Sequence, residues 1–275
     1  MRRLGRRLCR PDTVWSVPEI TEVESYRRLA LSVRGRKVTS IATPDSWFLK
    51  EGATGPRLRR ALVGHRVDDV RRIGKIVLID MDSGDILGLR FGMTGTLLVD
   101  GKAGVERLIY SSQQFQHKWD RFTMRFEEGS LVVHDPRRLG GVSLNPDISR
   151  LGPDAVSITA AQLGAALRGS KAPLKARLLD QARVAGIGNL IGDEVLWRAG
   201  LSPLRPAGSL TPTEVLRLHR TMSRTLTQLL DRGGSHLGEL MDERHRDGRC
   251  PKDGTLLSRA TIGGRTTYWC PKHQV

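Results

Sequence analysis

Long apolar runs are missing from this sequence. Across 275 residues no window approaches the ~20 apolar residues of a membrane-spanning helix, so a helical membrane protein is excluded. Cysteine is nearly missing too. Cys9, Cys250 and Cys270 are too few for a disulfide framework, and a reducing cytosol is the expected compartment. Five Arg fall in the first ten residues, but no apolar stretch follows them, which excludes a secretory signal. There are no internal repeats and no low-complexity tracts. Negative charge is scarce relative to positive. Asp and Glu number 29 against 45 Lys and Arg, for a net charge of +16 and a pI near 10.7. A chain this basic meets a polyanion, nucleic acid before others; solubility alone is the bland alternative. What remains is ordinary: 39% hydrophobic and 27% charged, with length for about two domains.

The pattern changes along the chain. Residues 1–17 are Arg-rich and without periodicity. At Pro18 a helical pattern opens, with Ile20, Val23, Ala30 and Val33 on one face and Gly35 as a stop. From Lys37 to about Leu144 the signals are strand-like and follow one another without intervening helices. The expected strands are 37–43, 76–80, 86–91, 96–99, 121–126 and 131–135. That predicts an antiparallel sandwich or barrel. Leu151-Gly152-Pro153-Asp154 reads as a joint. Beyond it helices are expected over 174–181, 190–199 and 213–231.

Two local features carry chemistry. Cys250-x2-Asp253-x16-Cys270-x2-His273 has the spacing of a four-ligand zinc hairpin, with glycines 263 and 264 at the turn. A metal-free hairpin is the alternative. Arg265, at the hairpin tip, is suited to bidentate phosphate contact. Ala185-Gly186-Ile187-Gly188-Asn189 joins two predicted helices. A helix N-terminus behind glycines offers free N–H groups to an anion, although an ordinary tight turn reads the same way. Lys175 and Arg177 lie on the preceding helix.

These pieces stand in one order with other short motifs: Pro18-Glu19-Ile20-Thr21-Glu22-Val23-Glu24, Gly74-Lys75, Phe91-Gly92-Met93-Thr94-Gly95, Asp135-Pro136-Arg137-Arg138-Leu139-Gly140, then the joint, the glycine turn and the hairpin. Together they resemble the formamidopyrimidine-DNA glycosylase / endonuclease VIII family from Pro18 to the C-terminus. The resemblance implies an α+β fold. An N-terminal helix and antiparallel β-sandwich (18–148) precede a helix–two-turn–helix DNA-binding domain (149–244) and a zinc-finger-like β-hairpin (245–275).

It further implies a bifunctional DNA glycosylase/AP lyase of base excision repair acting on damaged double-stranded DNA. Such a protein would be a monomer in the bacterial cytoplasm, associated with the nucleoid. Pro18 would be the nucleophile and Glu19 the general acid/base, with Lys75 near the lesion and Glu22 organising the site. Lys175, Asn189 and Arg265 would grip the backbone. Met93, Arg137 and Leu139 would fill the hole left by base flipping. One structural zinc ion would sit on Cys250, Asp253, Cys270 and His273. A non-catalytic lesion-binding relative is the alternative.

Four departures bear on these expectations. Pro18 is not terminal, so its nitrogen is an amide. The expectation is that residues 1–17 are a mis-assigned start and that Val17 is the initiator whose removal frees Pro18. Without that segment the net charge is still +12, since it carries five Arg and one Asp. Leu139 stands where the formamidopyrimidine branch usually has Phe. Asp253 and His273 stand where the family usually has Cys. Only about Leu237–Arg249 is available where that branch carries the loop over a flipped 8-oxoguanine. Weak activity on 8-oxoguanine is therefore expected, with oxidised pyrimidines, ring-opened purines or abasic sites preferred.

Overall fold

The computed structural model describes residues 18–105 and 116–275. The expectations for residues 1–17 and for Cys9 lie outside them. The chain opens with helix α1 (Ile20–Ala30), followed by a short 3-10 turn at Leu31–Val33. Its N-terminus is fixed by a capping box, in which the Glu22 carboxylate accepts from the Glu19 N–H at 2.9 Å.

Among the described residues, nine strands then build two facing antiparallel sheets. One contains β1 (Val38–Ala42), β5 (Thr96–Val99), β6 (Lys102–Ala103), β7 (Asp120–Phe126) and β8 (Ser130–His134), in the order β1-β7-β8-β5-β6. The other contains β2 (Val67–Ile73), β3 (Ile76–Met81), β4 (Ile86–Arg90) and β9 (Gly141–Leu144), in the order β2-β3-β4-β9. β3 is buried on nearly every residue, as a central strand covered on both faces must be.

The expected run of strands without a helix is corrected at one place. Helix α2 (Gly55–Leu62) intervenes between β1 and β2. Thr54 caps it, Pro56 occupies its first turn, and Leu58, Ala61 and Leu62 are buried at helical spacing. The strand at Val67–Ile73 lies outside the expected set, because its Asp and Arg residues interrupt the apolar pattern.

The second half is helical: α3 (Ala160–Leu167), α4 (Leu174–Leu179), α5 (Asn189–Ala199) and α6 (Pro212–Arg232). The chain ends in a hairpin of β10 (Ser258–Ile262) and β11 (Arg265–Trp269). The apolar core divides accordingly. One cluster fills the sandwich, a second fills the helices, and a small third holds Trp197, Leu240, Cys250, Leu257 and Cys270. Helix α1 serves both large clusters. Val23, Tyr26 and Ala30 pack in the sandwich, while Ile20 packs with the helices. The first turn of α1 therefore sits at the seam between the two halves.

Candidate active site

A cleft of about 860 Å³ opens along that seam. Glu19, Lys75, Met93, Arg137, Asn189 and Arg265 line it, bringing together six of the predicted residues from six separate stretches of chain.

Glu19 is fully buried. Its carboxylate accepts from the Leu190 N–H at 2.7 Å and the Ile191 N–H at 3.2 Å, at the N-terminus of α5. The anion at that helix end is therefore the protein's own side chain rather than a phosphate. Gly188 explains the glycine turn: a Cβ there would lie 2.2 Å from the Glu19 carboxyl carbon, so no other residue admits this approach. Burial raises the Glu19 pKa above the ordinary carboxylate value, against the opposing pull of Lys75 and the two N–H groups.

Lys75 follows the β2–β3 turn, whose Gly74 has φ +54°. The Asp154 carboxylate pins this turn. It accepts from the Gly74 N–H at 2.6 Å and receives both terminal nitrogens of Arg72, at 2.5 and 3.0 Å. The joint read in the sequence thus also aims Lys75. The ammonium makes no hydrogen bond among the described residues. Burial lowers its pKa, while Glu19 and Glu22 pull it back up.

Two loops form the upper wall. Asp135, fully buried, accepts from Thr94 Oγ1 at 2.6 Å, from the Gly140 N–H at 2.8 Å and from the Arg137 N–H at 3.1 Å. One carboxylate therefore holds the Met93 loop and the Arg137–Leu139 loop together. Met93 and Arg137 face the cleft; Leu139 is 48% exposed beside it.

Three further predicted residues lie behind or beneath the cleft. Pro18 is buried next to Glu19. Glu22 is buried behind it and accepts from the N–H and hydroxyl of Ser235 at 2.6 and 2.7 Å, tying α1 to the chain beyond α6. Lys175 is fully buried under the floor. Its ammonium lies 2.6 Å from Asp193 Oδ1 and donates to Asn189 Oδ1 at 2.6 Å and Thr267 Oγ1 at 2.7 Å. Lysine only donates, so this contact turns the Asn189 amide nitrogen away from it. Arg244 closes the same group, 2.8 Å from Asp193 Oδ2.

The hairpin tip meets α4 at Ala176, and the exposed Arg265 begins β11 at the cleft.

Cys250, Asp253, Cys270 and His273 converge with all ligand atoms within 4.8 Å of one another. Cys250 Sγ to His273 Nδ1 is 3.5 Å, and the closest Cys270 Sγ–Asp253 and His273 Nδ1–Asp253 contacts are both 3.4 Å. Tetrahedral zinc bonds of 2.0–2.3 Å put neighbouring ligands about 3.3–3.8 Å apart, so the donor set fits. His273 Nε2 lies 3.1 Å from the Trp197 carbonyl, which as an acceptor holds the proton there and leaves Nδ1 free for a metal.

The formamidopyrimidine-DNA glycosylase N-terminal domain model matches residues 17–142, and the formamidopyrimidine-DNA glycosylase H2TH domain model matches residues 151–239. The formamidopyrimidine-DNA glycosylase of Cereibacter sphaeroides is 34% identical, covering 94% of this chain and 100% of that protein. That of Thermus thermophilus is 33% identical, covering 94% and 98%. The chain belongs to the formamidopyrimidine-DNA glycosylase family. Among solved structures, a complex of the LlFpg protein with a THF-DNA and an inhibitor superposes with TM-score 0.80 at 25% identity, covering 94% of this chain and 100% of that one. The Lactococcus lactis Fpg complex with abasic-site DNA gives TM-score 0.78 at 24% identity, covering 94% and 99%.

Within the glycosylase frame, sequence reasoning missed several lining or supporting residues. Gln181 shapes the glycine turn: Nε2 donates to the Leu179 and Ile187 carbonyls, and Oε1 accepts from the Gly186 N–H. Asp193 lies four residues after Asn189 on α5, so helical spacing was its signal. Arg244 and Arg259 also line the cleft, and they had no local signal.

Proposed function

We propose that this protein is a bifunctional DNA glycosylase/AP lyase of base excision repair, acting on damaged double-stranded DNA. The observation that carries the reading is the buried Glu19 carboxyl beside Pro18, with its pKa raised, at the floor of a cleft rimmed by Lys75 and Arg265. A carboxyl that keeps its proton nearer neutral pH is suited to protonate the sugar ring oxygen. In a chain beginning at Pro18, the freed secondary amine attacks C1′ and the damaged base departs. The resulting iminium withdraws electrons from C2′. Loss of the C2′ proton then expels the 3′ phosphate. An α-amino group with a pKa near 8 is partly neutral at physiological pH, unlike an ordinary lysine near 10.4.

Support for Pro18 as the mature terminus comes from the relatives. The family match begins at residue 17, and 94% of this chain spans a relative's whole length. Met93, Arg137 and Leu139 are proposed to fill the gap left by the flipped base. Arg265 and the Asn189 amide hold the flanking phosphates. Lys175 acts from beneath, orienting Asn189 and seating the hairpin. One structural zinc ion on Cys250, Asp253, Cys270 and His273 would hold the two knuckles together. The protein is proposed to work as a monomer on nucleoid DNA in the bacterial cytoplasm.

The segment between α6 and Cys250 supports a restricted substrate range. Glu194 accepts the N–H groups of Glu239 and Leu240 at 3.0 and 2.9 Å, drawing the segment down onto α5. Only Arg244 from it lines the cleft. A panel of lesion duplexes tests this, and preference for 8-oxoguanine opposite cytosine refutes it.

Borohydride trapping on a lesion duplex tests the activity. Protein beginning at Pro18 gives a covalent adduct, and protein retaining residues 1–17 gives none. No adduct from either leaves the non-catalytic lesion binder, the reading favoured by the amide at Pro18.

A further inference from the structure

A second groove, of about 490 Å³, lies beyond the C-terminal end of α5, and it shares no lining residue with the cleft. One wall is α6, which presents Arg217, Arg220 and Arg224. The other is the first finger knuckle, where Lys252 donates to the Trp197 and Arg198 carbonyls at 3.2 and 3.4 Å.

The three arginines are exposed and spaced i, i+3, i+7, so they form one row about 10 Å long. Like charges at this spacing destabilise a helix. The row is barely neutralised. Arg217 lies 4.0 Å from Glu214, which is already held by Arg205, and Arg220 and Arg224 have no carboxylate partner among the described residues. At the groove's edge Leu216 is 39% exposed. On its wall the fully buried Thr225 hydroxyl has no hydrogen-bond partner among the described residues.

We propose that this groove docks an acidic peptide segment of a partner protein. Two or more carboxylates would meet the Arg217–Arg220–Arg224 row, and an apolar side chain would rest on Leu216. Charge complementarity selects an anionic occupant, and the exposed Leu216 at the groove's edge suits a peptide side chain rather than a duplex backbone. Single-stranded nucleic acid is disfavoured because it binds by base stacking on exposed aromatics. The one aromatic here, Trp197, is 1% exposed, beneath the Lys252 ammonium 4.5 Å from its ring. The inference does not depend on the reading of the cleft.

Fluorescence anisotropy on the full chain tests it. The probe is a labelled decapeptide of Asp, Glu and Leu, with an Asn/Gln/Leu counterpart as control. The acidic probe binds and the neutral one does not. R217E/R220E/R224E weakens the acidic probe about tenfold or more, and R220Q/R224Q weakens it less. Saturating the cleft with undamaged duplex leaves the probe's affinity within about twofold, since the sites are separate. Circular dichroism confirms that both variants are folded. Affinity unchanged by either variant overturns the proposal, as does displacement of the probe by duplex. Tighter, reversal-sensitive binding of an oligothymidine strand overturns it in favour of a nucleic-acid groove.

Discussion

Lys75 lines the cleft from the sandwich side and Lys175 lies buried beneath its floor on the helical side, and burial lowers the pKa of both. Their surroundings differ. Lys175 is held by Asp193, Asn189 and Thr267, and Arg244 shares the Asp193 carboxylate. Lys75 makes no hydrogen bond among the described residues and has only the fields of Glu19 and Glu22 to favour its charge. The sandwich wall holds its loops through backbone N–H groups gathered on Asp135 and Asp154, and the Lys75 ammonium takes no part in that bonding. Beneath the helix-and-finger wall, Lys175, Arg244 and Asp193 use their charges on one another, and Lys175 orients Asn189. One buried lysine is left without a hydrogen bond among the described residues, and the other is fixed by its partners.

Four measurements break or sharpen that contrast. Glu19→Gln has the largest effect, slowing base removal on the order of 10²–10⁴-fold while duplex binding persists; single-turnover rates beside affinity measure it, and a parallel loss of binding would make Glu19 structural. Asp193→Asn comes next. It strips Lys175 and Arg244 of their buried counter-charge and costs about 3–5 kcal/mol in denaturant unfolding, whereas Lys75→Met lowers activity with little change in stability.

Arg265→Ala has a smaller effect. It weakens binding similarly for all duplex sequences and reduces the salt slope by about 1, as the loss of one phosphate contact requires. The smallest effect is on pH dependence. The acid must be protonated, and burial moves its pKa upward from 4.5. Base removal therefore falls as pH rises through the Glu19 pKa, and a pH–rate profile of Glu19→Gln lacks that limb.

Much of this was legible in the chain. α1, α5, α6 and the hairpin follow periodicity, caps and glycine turns, which act within a few residues. α2 escaped because its helical signal spans only eight residues inside a strand-rich stretch. The short motifs of the resemblance pointed to Glu19, Asn189 and Arg265, which line one cleft. Arg244 was not, because its partner Asp193 lies 51 residues away and nothing local marks the pairing.

The glycine turn divides the two kinds of information most clearly. Composition and local pattern determined the basic charge, the α+β order, the four converging ligand types and a helix start behind glycines. Tertiary structure alone decided which anion that helix start receives. The Glu19 carboxylate arrives from 171 residues away to take the N–H of Leu190. Its burial there raises its proton affinity. A helix end attracts any nearby negative charge, and only the packing of α1 across the seam determines that this one arrives first.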